Sequence, residues 1–149
     1  MALRRFSALT LACAALFAAS GALALDYRSL AEVASAYDAP SAKAKPRFGV
    51  LAGPPVELVV SLEGWSKVRD SKGDLVWIEK KHLAEKRTVI VRVERAQVRA
   101  AAEDKAALVF EAERDVVLEL VEAVPGGWVK VRHRDGQGGF LKVPQVWGL

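Results

Sequence analysis

Few side chains in this sequence could carry acid–base chemistry near neutral pH. His82 and His133 are the two histidines, and they stand at different points of the repeat described below, so we expect no shared site. Glu111 and Glu113 would share one face of a strand, as two glycosidase carboxylates must lie close together, but this spacing is more typical of surface charges. Motifs for nucleophilic, zinc-dependent, phosphate-binding and dinucleotide-binding enzymes are absent. We therefore predict a protein that is not an enzyme and uses no cofactor.

The N-terminus has the order of a secretory signal. Arg4 and Arg5 precede an apolar run over residues 6–19, and the tripeptide Ala-Leu-Ala at 22–24 follows as a cleavage site. The run is too short to form a stable membrane-spanning helix. We predict a signal peptide over residues 1–24, export of the protein, and no stable transmembrane segment after cleavage.

Cysteine usage and charge exclude two further classes of function. The one cysteine, Cys13, falls within the apolar run, so the mature chain has no disulfide and no thiolate for a metal; with two separated histidines, we predict no metal site. The whole chain has 22 basic and 18 acidic side chains. Removal of Arg4 and Arg5 leaves a formal charge of about +2, which argues against a nucleic-acid partner.

One heptapeptide occurs twice. GWSKVRD at residues 64–70 reappears as GWVKVRH at residues 127–133, and neighbouring segments match at nearly the same offset. Each copy covers about 50 residues, which is long enough for a structural unit. We predict a domain boundary near residues 84–88, with domains at 25–88 and 89–149, and we expect the charged connector to be solvated.

Each copy consists of short β-type segments separated by turn signals. VELVVSLEGW and LELVEAVPGGW are rich in β-branched residues and end in glycine, and WSKVR and WVKVR alternate as half-buried strands do. WIEKKHL and FLKVPQVW predict a short strand followed by one tight helical turn. About five strands in fewer than 60 residues predict a small β-barrel.

The aromatic side chains are the best candidates for binding. Strand alternation places Val68 towards the core and Trp65 on the opposite face, and it places Trp128 in the same way. Trp77 and Phe140 could lie beside them and complete a groove for an extended peptide. The alternative is that these rings close the end of the barrel or pack the two domains together.

These segments resemble the bacterial SH3-like domain family. The resemblance rests on the early turns YDAPS and VRAAA, the VELV strand, the Gly-Trp-x-Lys-Val strand and the later Gly/aromatic/aliphatic strand. The joining segment KRTVIV and the terminal VWGL are similar to exported proteins made of two such domains. The resemblance implies an all-β fold of two tandem small SH3-like β-barrels. Tyr37 and Asp38 resemble the Tyr/Asp turn with which eukaryotic SH3 domains bind proline-rich peptides, although a type I turn with Asp and Pro explains the same residues.

The resemblance also implies a function. We expect an exported, non-enzymatic binding or adaptor module in the cell envelope, in the periplasm, that recognises cell-wall peptide or another envelope protein. A structural or stress-related envelope protein without a small ligand and an enzyme with an unrecognised site are the alternatives, and the oligomeric state is open. The second copy has Ala102 and Glu103 in place of Pro40 and Ser41, and Phe140 in place of a tryptophan, so we expect unequal binding.

Overall fold

The computed structural model describes residues 24–149. The signal peptide predicted for residues 1–24 lies outside this range except for its last residue. The first copy contains β1 (Tyr27–Leu30), β2 (Ala34–Tyr37), β3 (Pro46–Val50), β4 (Pro55–Ser61), β5 (Trp65–Arg69), β6 (Leu75–Glu79), the 3-10 turn η1 (Lys80–His82) and β7 (Leu83–Ala84). The second contains β8 (Thr88–Val91), β9 (Arg95–Arg99), β10 (Leu108–Glu113), β11 (Val117–Val124), β12 (Trp128–Arg132), β13 (Gly138–Lys142), the 3-10 turn η2 (Val143–Gln145) and β14 (Val146–Trp147).

The two copies form two antiparallel sheets with the same strand order. The first sheet runs β3-β2-β6-β5-β4-β1-β7, and the second runs β10-β9-β13-β12-β11-β8-β14. Even the irregularities correspond, because the register shifts between Leu58 and Val60 in one copy and between Leu120 and Glu122 in the other. The all-β prediction with two tandem units is confirmed.

The strand count exceeds the predicted five in each copy. Seven strands form because β7 and β14, of two residues each, follow the 3-10 turns and pair with β1 and β8. A two-residue strand has no periodicity of its own, and its partner lies about 50 residues away in sequence. The residues of β7 and β14 therefore show no alternation from which a strand could be predicted.

Each copy has its own hydrophobic core. Strand alternation holds in β5, where Ser66 and Val68 are buried while Trp65, Lys67 and Arg69 are half-buried. The first core consists of Leu30, Ala34, Ala36, Val56, Val68, Val76 and Ile78. The second consists of Val89, Val91, Ala96, Val98, Ala112, Leu118, Val129, Val131, Leu141 and Val146. Each fully buried aliphatic side chain contributes about 1.5–3 kcal/mol relative to an exposed one.

The tight turns before β4 and β11 correspond in the repeat but use different residues. Gly53 has a φ of 104°, and Asp115, at the equivalent place, has a φ of 69°. The Gly53 N–H donates to the Leu30 carbonyl at 2.8 Å, and the Asp115 N–H donates to the Val91 carbonyl at 2.9 Å. Equivalent hydrogen bonds thus hold both turns. Asp115 adopts the left-handed conformation that glycine adopts more easily.

The two sheets meet along a seam, formed by Tyr27, Arg87, Thr88 and Trp147 with the turn at Gly53. The Tyr27 and Trp147 rings make an edge-to-face contact with centroids 5.2 Å apart. The Arg87 guanidinium lies 5.6 Å from the centre of the Tyr27 ring. The Thr88 Oγ1 donates a hydrogen bond to the Gly53 carbonyl at 2.8 Å.

Gly148 allows the end of the chain to close against the first copy. A Cβ at this position would lie 2.8 Å from the Cβ of Pro55 and 3.0 Å from the carbonyl oxygen of Thr88. The Gly148 carbonyl accepts a hydrogen bond from Arg87 Nη2 at 2.9 Å. A side chain at Gly148 would therefore force the two copies apart.

The connector at residues 85–87 is only partly the solvated linker that we expected, since Glu85 and Lys86 are exposed whereas Arg87 is not. Arg87 is half-buried between Tyr27 and Gly148, and Lys86 forms an ion pair with Glu119 at 3.2 Å. The expectation is wrong for Arg87 alone, because its contacts, Tyr27 and Gly148, lie far from it in the sequence. Within residues 24–149 no helix is long and apolar enough to cross a membrane.

Candidate functional site

Three aromatic rings of the first copy lie on the outward face of its sheet. Tyr37 and Trp65 make an edge-to-face contact, with ring centroids 5.4 Å apart and planes at 85°. Trp77 lies directly across from Tyr37 in the pairing of β2 with β6, and across from Lys67 in the pairing of β5 with β6. We call Tyr37, Trp65 and Trp77 the first aromatic face. The structure brings together the three residues of this copy that were predicted to line a groove.

Charged side chains border the first aromatic face. The Lys67 ammonium lies 6.0 Å from the centre of the Trp77 ring. Glu79, which lies opposite Trp65 in the strand pairing, forms an ion pair with Lys81 at 2.6 Å. The hydrogen bond from Lys81 lowers the pKa of Glu79, and the same bond raises the pKa of Lys81. Both groups are therefore charged at neutral pH, and the face offers rings with one cation and one ion pair beside them.

The second copy presents a reduced version of this face. Trp128 and Phe140 occupy the places of Trp65 and Trp77, but Arg99 occupies the place of Tyr37, since it lies across from Phe140 in the pairing of β9 with β13. Sequence reasoning did not single out Arg99, although carrying the repeat offset to Tyr37 would have found it. The third ring is therefore missing from the second copy.

Cations cover the two remaining rings of the second copy. The Lys142 ammonium lies 5.6 Å from the centre of the Trp128 ring, and the Lys130 ammonium lies 5.9 Å from that of Phe140. Lys142 also forms an ion pair with Asp104 at 2.5 Å. A cavity of about 100 Å³ lies beside Trp128. The Lys130–Phe140 contact matches that of Lys67 with Trp77, so the second face differs in the cation over Trp128 and is more cationic than the first.

The predicted candidate rings do not make the aromatic contact between the two copies. That contact joins Tyr27 to Trp147, two residues that sequence reasoning did not propose. Burial raises the pKa of Tyr27, as does the nearby Glu57 carboxylate, while Arg87 and Arg69 act in the opposite direction. The hydrophobic ending VWGL indicated that Trp147 could be packed, but no sequence pattern indicated that Tyr27 in β1 would be its partner.

The candidate acid–base residues lie apart from one another. His82 Nδ1 is 2.9 Å from Glu32 Oε1 in the first copy, and His133 Nδ1 is 3.1 Å from Asp135 Oδ1 in the second. Glu111 forms an ion pair with Arg95 at 3.4 Å. Among residues 24–149, no group of three or more His, Cys, Asp and Glu side chains is arranged to hold a metal ion.

The duplicated all-β fold and its sequence pattern define the family. The sequence matches the bacterial SH3 domain family twice, over residues 31–85 and over residues 92–148. The chain belongs to this family, and the two matches correspond to the two sheets. The predicted resemblance is therefore confirmed.

Comparison with known proteins adds little beyond the fold. A search of curated proteins gave no match. Among solved structures, the chain is similar to NlpC2 from Trichomonas vaginalis, with 13% identity and a TM-score of 0.39 over 83% of this chain and 48% of that one. NlpC1 from the same organism gives 16% identity and a TM-score of 0.39, covering 87% and 48% of the two chains.

A bacterial structure gives a comparable result. An NlpC/P60 family protein from Bacillus cereus ATCC 10987 has 16% identity and a TM-score of 0.37, over 82% of this chain and 56% of that one. The chain spans about half the length of these solved structures. Similarity at this level carries no argument about activity.

Proposed function

We propose that the protein is a non-enzymatic binding module of the cell envelope, in which the first aromatic face binds an extended peptide. One observation carries the proposal: Tyr37, Trp65 and Trp77 lie together on an outward face, away from the core. Membership of the bacterial SH3 domain family is consistent with a binding module. The order of basic, apolar and small residues in residues 1–24 supports export, with the periplasm as the compartment.

The arrangement of the rings suits an extended chain. Each ring is half-buried, so it is already fixed by neighbours and loses little freedom when a ligand covers its remaining surface. Lys67 and the Glu79–Lys81 pair stand beside the rings, where they can hydrogen-bond the polar backbone of a peptide. A peptide of the cell wall and an extended segment of another envelope protein both have this chemistry.

The proposal makes the two copies unequal. The first copy has three rings, whereas the second has two, and Lys142 lies over Trp128 where the first copy has Glu79 opposite Trp65. A ligand would have to displace Lys142 before it could stack on Trp128. We therefore assign the principal binding role to the first copy.

Capture assays test this assignment. The protein would be incubated with purified cell wall and, separately, with individual candidate peptides and envelope proteins. Trp65→Ala and Trp77→Ala should each weaken binding more than tenfold, or about 1.4 kcal/mol. The matched change in the second copy, Trp128→Ala, should weaken binding much less.

Melting temperatures provide the control. If the first-copy variants melt near the wild-type temperature and lose binding, the rings contact the ligand. If they unfold the first copy while the surviving folded fraction binds normally, the rings are structural and the proposal is wrong. A catalytic turnover that a single surface substitution abolishes would contradict the non-enzymatic assignment.

A further inference from the structure

Two clefts open where the two copies meet. The larger has a volume of about 680 Å³ and is lined by residues 69–73 of the first copy and by Arg92, Arg114, Asp115 and Trp147, among others, of the second. The smaller, of about 470 Å³, includes Gly53 of the first copy and the segment at residues 132–134 of the second. We call the larger one the Arg92 cleft. Ligand sites form preferentially at such junctions between domains.

The two clefts are built from equivalent parts of the repeat. In the Arg92 cleft, the hairpin that begins at Arg69 faces the turn at Asp115. In the smaller cleft, the hairpin that begins at Arg132 faces the turn at Gly53. Arg69 corresponds to Arg132, and Gly53 corresponds to Asp115. The Arg92 cleft differs in having Trp147 in its wall, which adds an apolar surface.

Positive charge is concentrated in the Arg92 cleft. Four cationic and two anionic side chains line this cleft. The cations are Arg69, Lys72, Arg92 and Arg114, and the carboxylates are Asp70 and Asp115. Residues 24–149 as a whole are nearly balanced, with 20 basic and 18 acidic side chains. The smaller cleft has a similar excess, with Lys86, Arg132 and Arg134 against Glu119, so positive charge collects in both clefts, and Trp147 distinguishes the Arg92 cleft.

Internal bonds already occupy several of these groups. Arg69 is paired with Glu57 at 2.9 Å, and Arg114 Nη1 donates to the Arg92 carbonyl at 2.7 Å. The Asp70 carboxylate accepts the backbone N–H groups of Lys72 and Asp74, both at 2.9 Å. It therefore forms part of its own turn.

Lys72 and Arg92 remain available. Neither side chain makes an ion pair or a side-chain hydrogen bond in the part of the chain that the structure describes. Lys72 belongs to the first copy and Arg92 to the second, so the two cations come together only where the copies dock.

We propose that the Arg92 cleft binds an anionic ligand, whose carboxylate or phosphate group pairs with Lys72 and Arg92 while an apolar part lies against Trp147. A guanidinium and an ammonium are the side-chain groups that bind such oxyanions. The half-buried indole of Trp147 offers the adjoining apolar surface. This site is separate from the first aromatic face and does not depend on it.

The test uses the protein and two probes, a glutamate-rich peptide that contains one tyrosine and a glycerol phosphate oligomer. Titration calorimetry gives the affinities. Nuclear magnetic resonance follows the indole N–H of Trp147, which Trp147→Phe would assign. At least one probe should bind and shift this resonance, and the relative affinities identify the source of the oxyanion. The double variant Lys72→Gln/Arg92→Gln should weaken that binding at least tenfold.

A matched variant separates a site from general electrostatics. Lys45→Gln/Lys105→Gln also removes one exposed cation from each copy, but in the early turns away from the seam. It should change the affinity less than twofold. Equal weakening by both double variants, no binding of either probe at millimolar concentration, or binding that leaves the Trp147 resonance unmoved would each overturn the proposal.

Discussion

The Tyr27 ring meets the Trp147 ring edge to face, with planes at 84° and centroids 5.2 Å apart. These residues belong to the first strand of the first copy and the last strand of the second. The contact therefore joins the two ends of the described chain, and Arg87 from the connector lies over the same Tyr27 ring. Unfolding of either copy must break this contact.

Trp147→Leu should uncouple the two copies. The loss of an edge-to-face pair costs about 0.5–1.5 kcal/mol in addition to the buried area, and this loss falls on the seam. Differential scanning calorimetry should show a lower melting temperature and a broader or split transition. Trp77→Leu, which removes an indole from the first aromatic face, serves as the control and should keep the shape of the transition. An unchanged transition in Trp147→Leu would show that the ring contributes little to the coupling.

Stability should depend on Tyr27 at alkaline pH. Burial raises the pKa of its phenol above the ordinary value of 10.0, so the folded protein favours the neutral form. This contribution is complete below about pH 10 and is lost as the pH rises through the raised pKa. Urea unfolding at about pH 8 and about pH 11 should therefore show that wild type loses stability relative to Tyr27→Phe. A constant difference between the two proteins would contradict the prediction.

The equivalent turns at Gly53 and Asp115 should respond differently to substitution. Gly53→Ala places a Cβ in the left-handed region and should destabilise the protein by about 1–2 kcal/mol. Asp115→Ala should be destabilising because alanine tolerates this conformation less well than aspartate. Asp115→Gly should be nearly neutral, because relief of strain offsets the added flexibility of the unfolded chain. Chemical denaturation measures all three, and a large loss in Asp115→Gly would point to a role for the carboxylate itself.

The two separate cores predict additive losses. Val68 and Val131 are equivalent in the repeat and fully buried in different cores. Each substitution to alanine should cost about 1–3 kcal/mol through lost contacts and a residual cavity. Because the sites share no neighbours in these cores, the double variant should lose the sum of the two values. A clear departure from additivity in equilibrium unfolding would mean that strain passes between the copies through the seam.

Each half of the chain should fold alone, though weakly. A fragment of residues 25–87 and a fragment of residues 88–149 each contain a complete sheet and core. Circular dichroism should give a β-type spectrum and a cooperative melt for each, with a stability of only a few kcal/mol because so small a unit buries little surface. If neither fragment folds, the seam supplies most of the stability and the domain boundaries must be abandoned.

Local sequence patterns predicted the features that depend on neighbouring residues. The alternation in WSKVR placed Val68 in the core and Trp65 on the opposite face, as the structure has them. The repeat predicted two tandem units, and the segments WIEKKHL and FLKVPQVW predicted a tight helical turn, which the structure forms as a 3-10 turn in each copy. These features follow from the two-residue period of a strand and from turn chemistry, which a single segment contains.

Contacts between distant segments were beyond this kind of reasoning. The Tyr27–Trp147 pair joins residues at the two ends of the described chain, and no period relates them. Arg87 looked like one charge in a polar connector, yet it lies over the Tyr27 ring. The repeat aligns Arg99 with Tyr37, but the residues around Arg99 give no separate indication that it lies beside Phe140. Tertiary packing determines the environment of these residues, and no single segment of the sequence indicates which distant residues will pack together.

The three-residue connector has a consequence for valency. Residues 85–87 join β7 to β8, and Arg87 ties this short segment to Tyr27 and Gly148. The two aromatic faces are thus held at a set separation. A ligand with repeating units that matched this separation would meet the second face at an effective concentration in the millimolar range, and its avidity would exceed the affinity of either face. A ligand with a different repeat length would engage one face only. If both faces bind as proposed, the geometry of the seam would therefore select for ligand spacing as well as ligand chemistry.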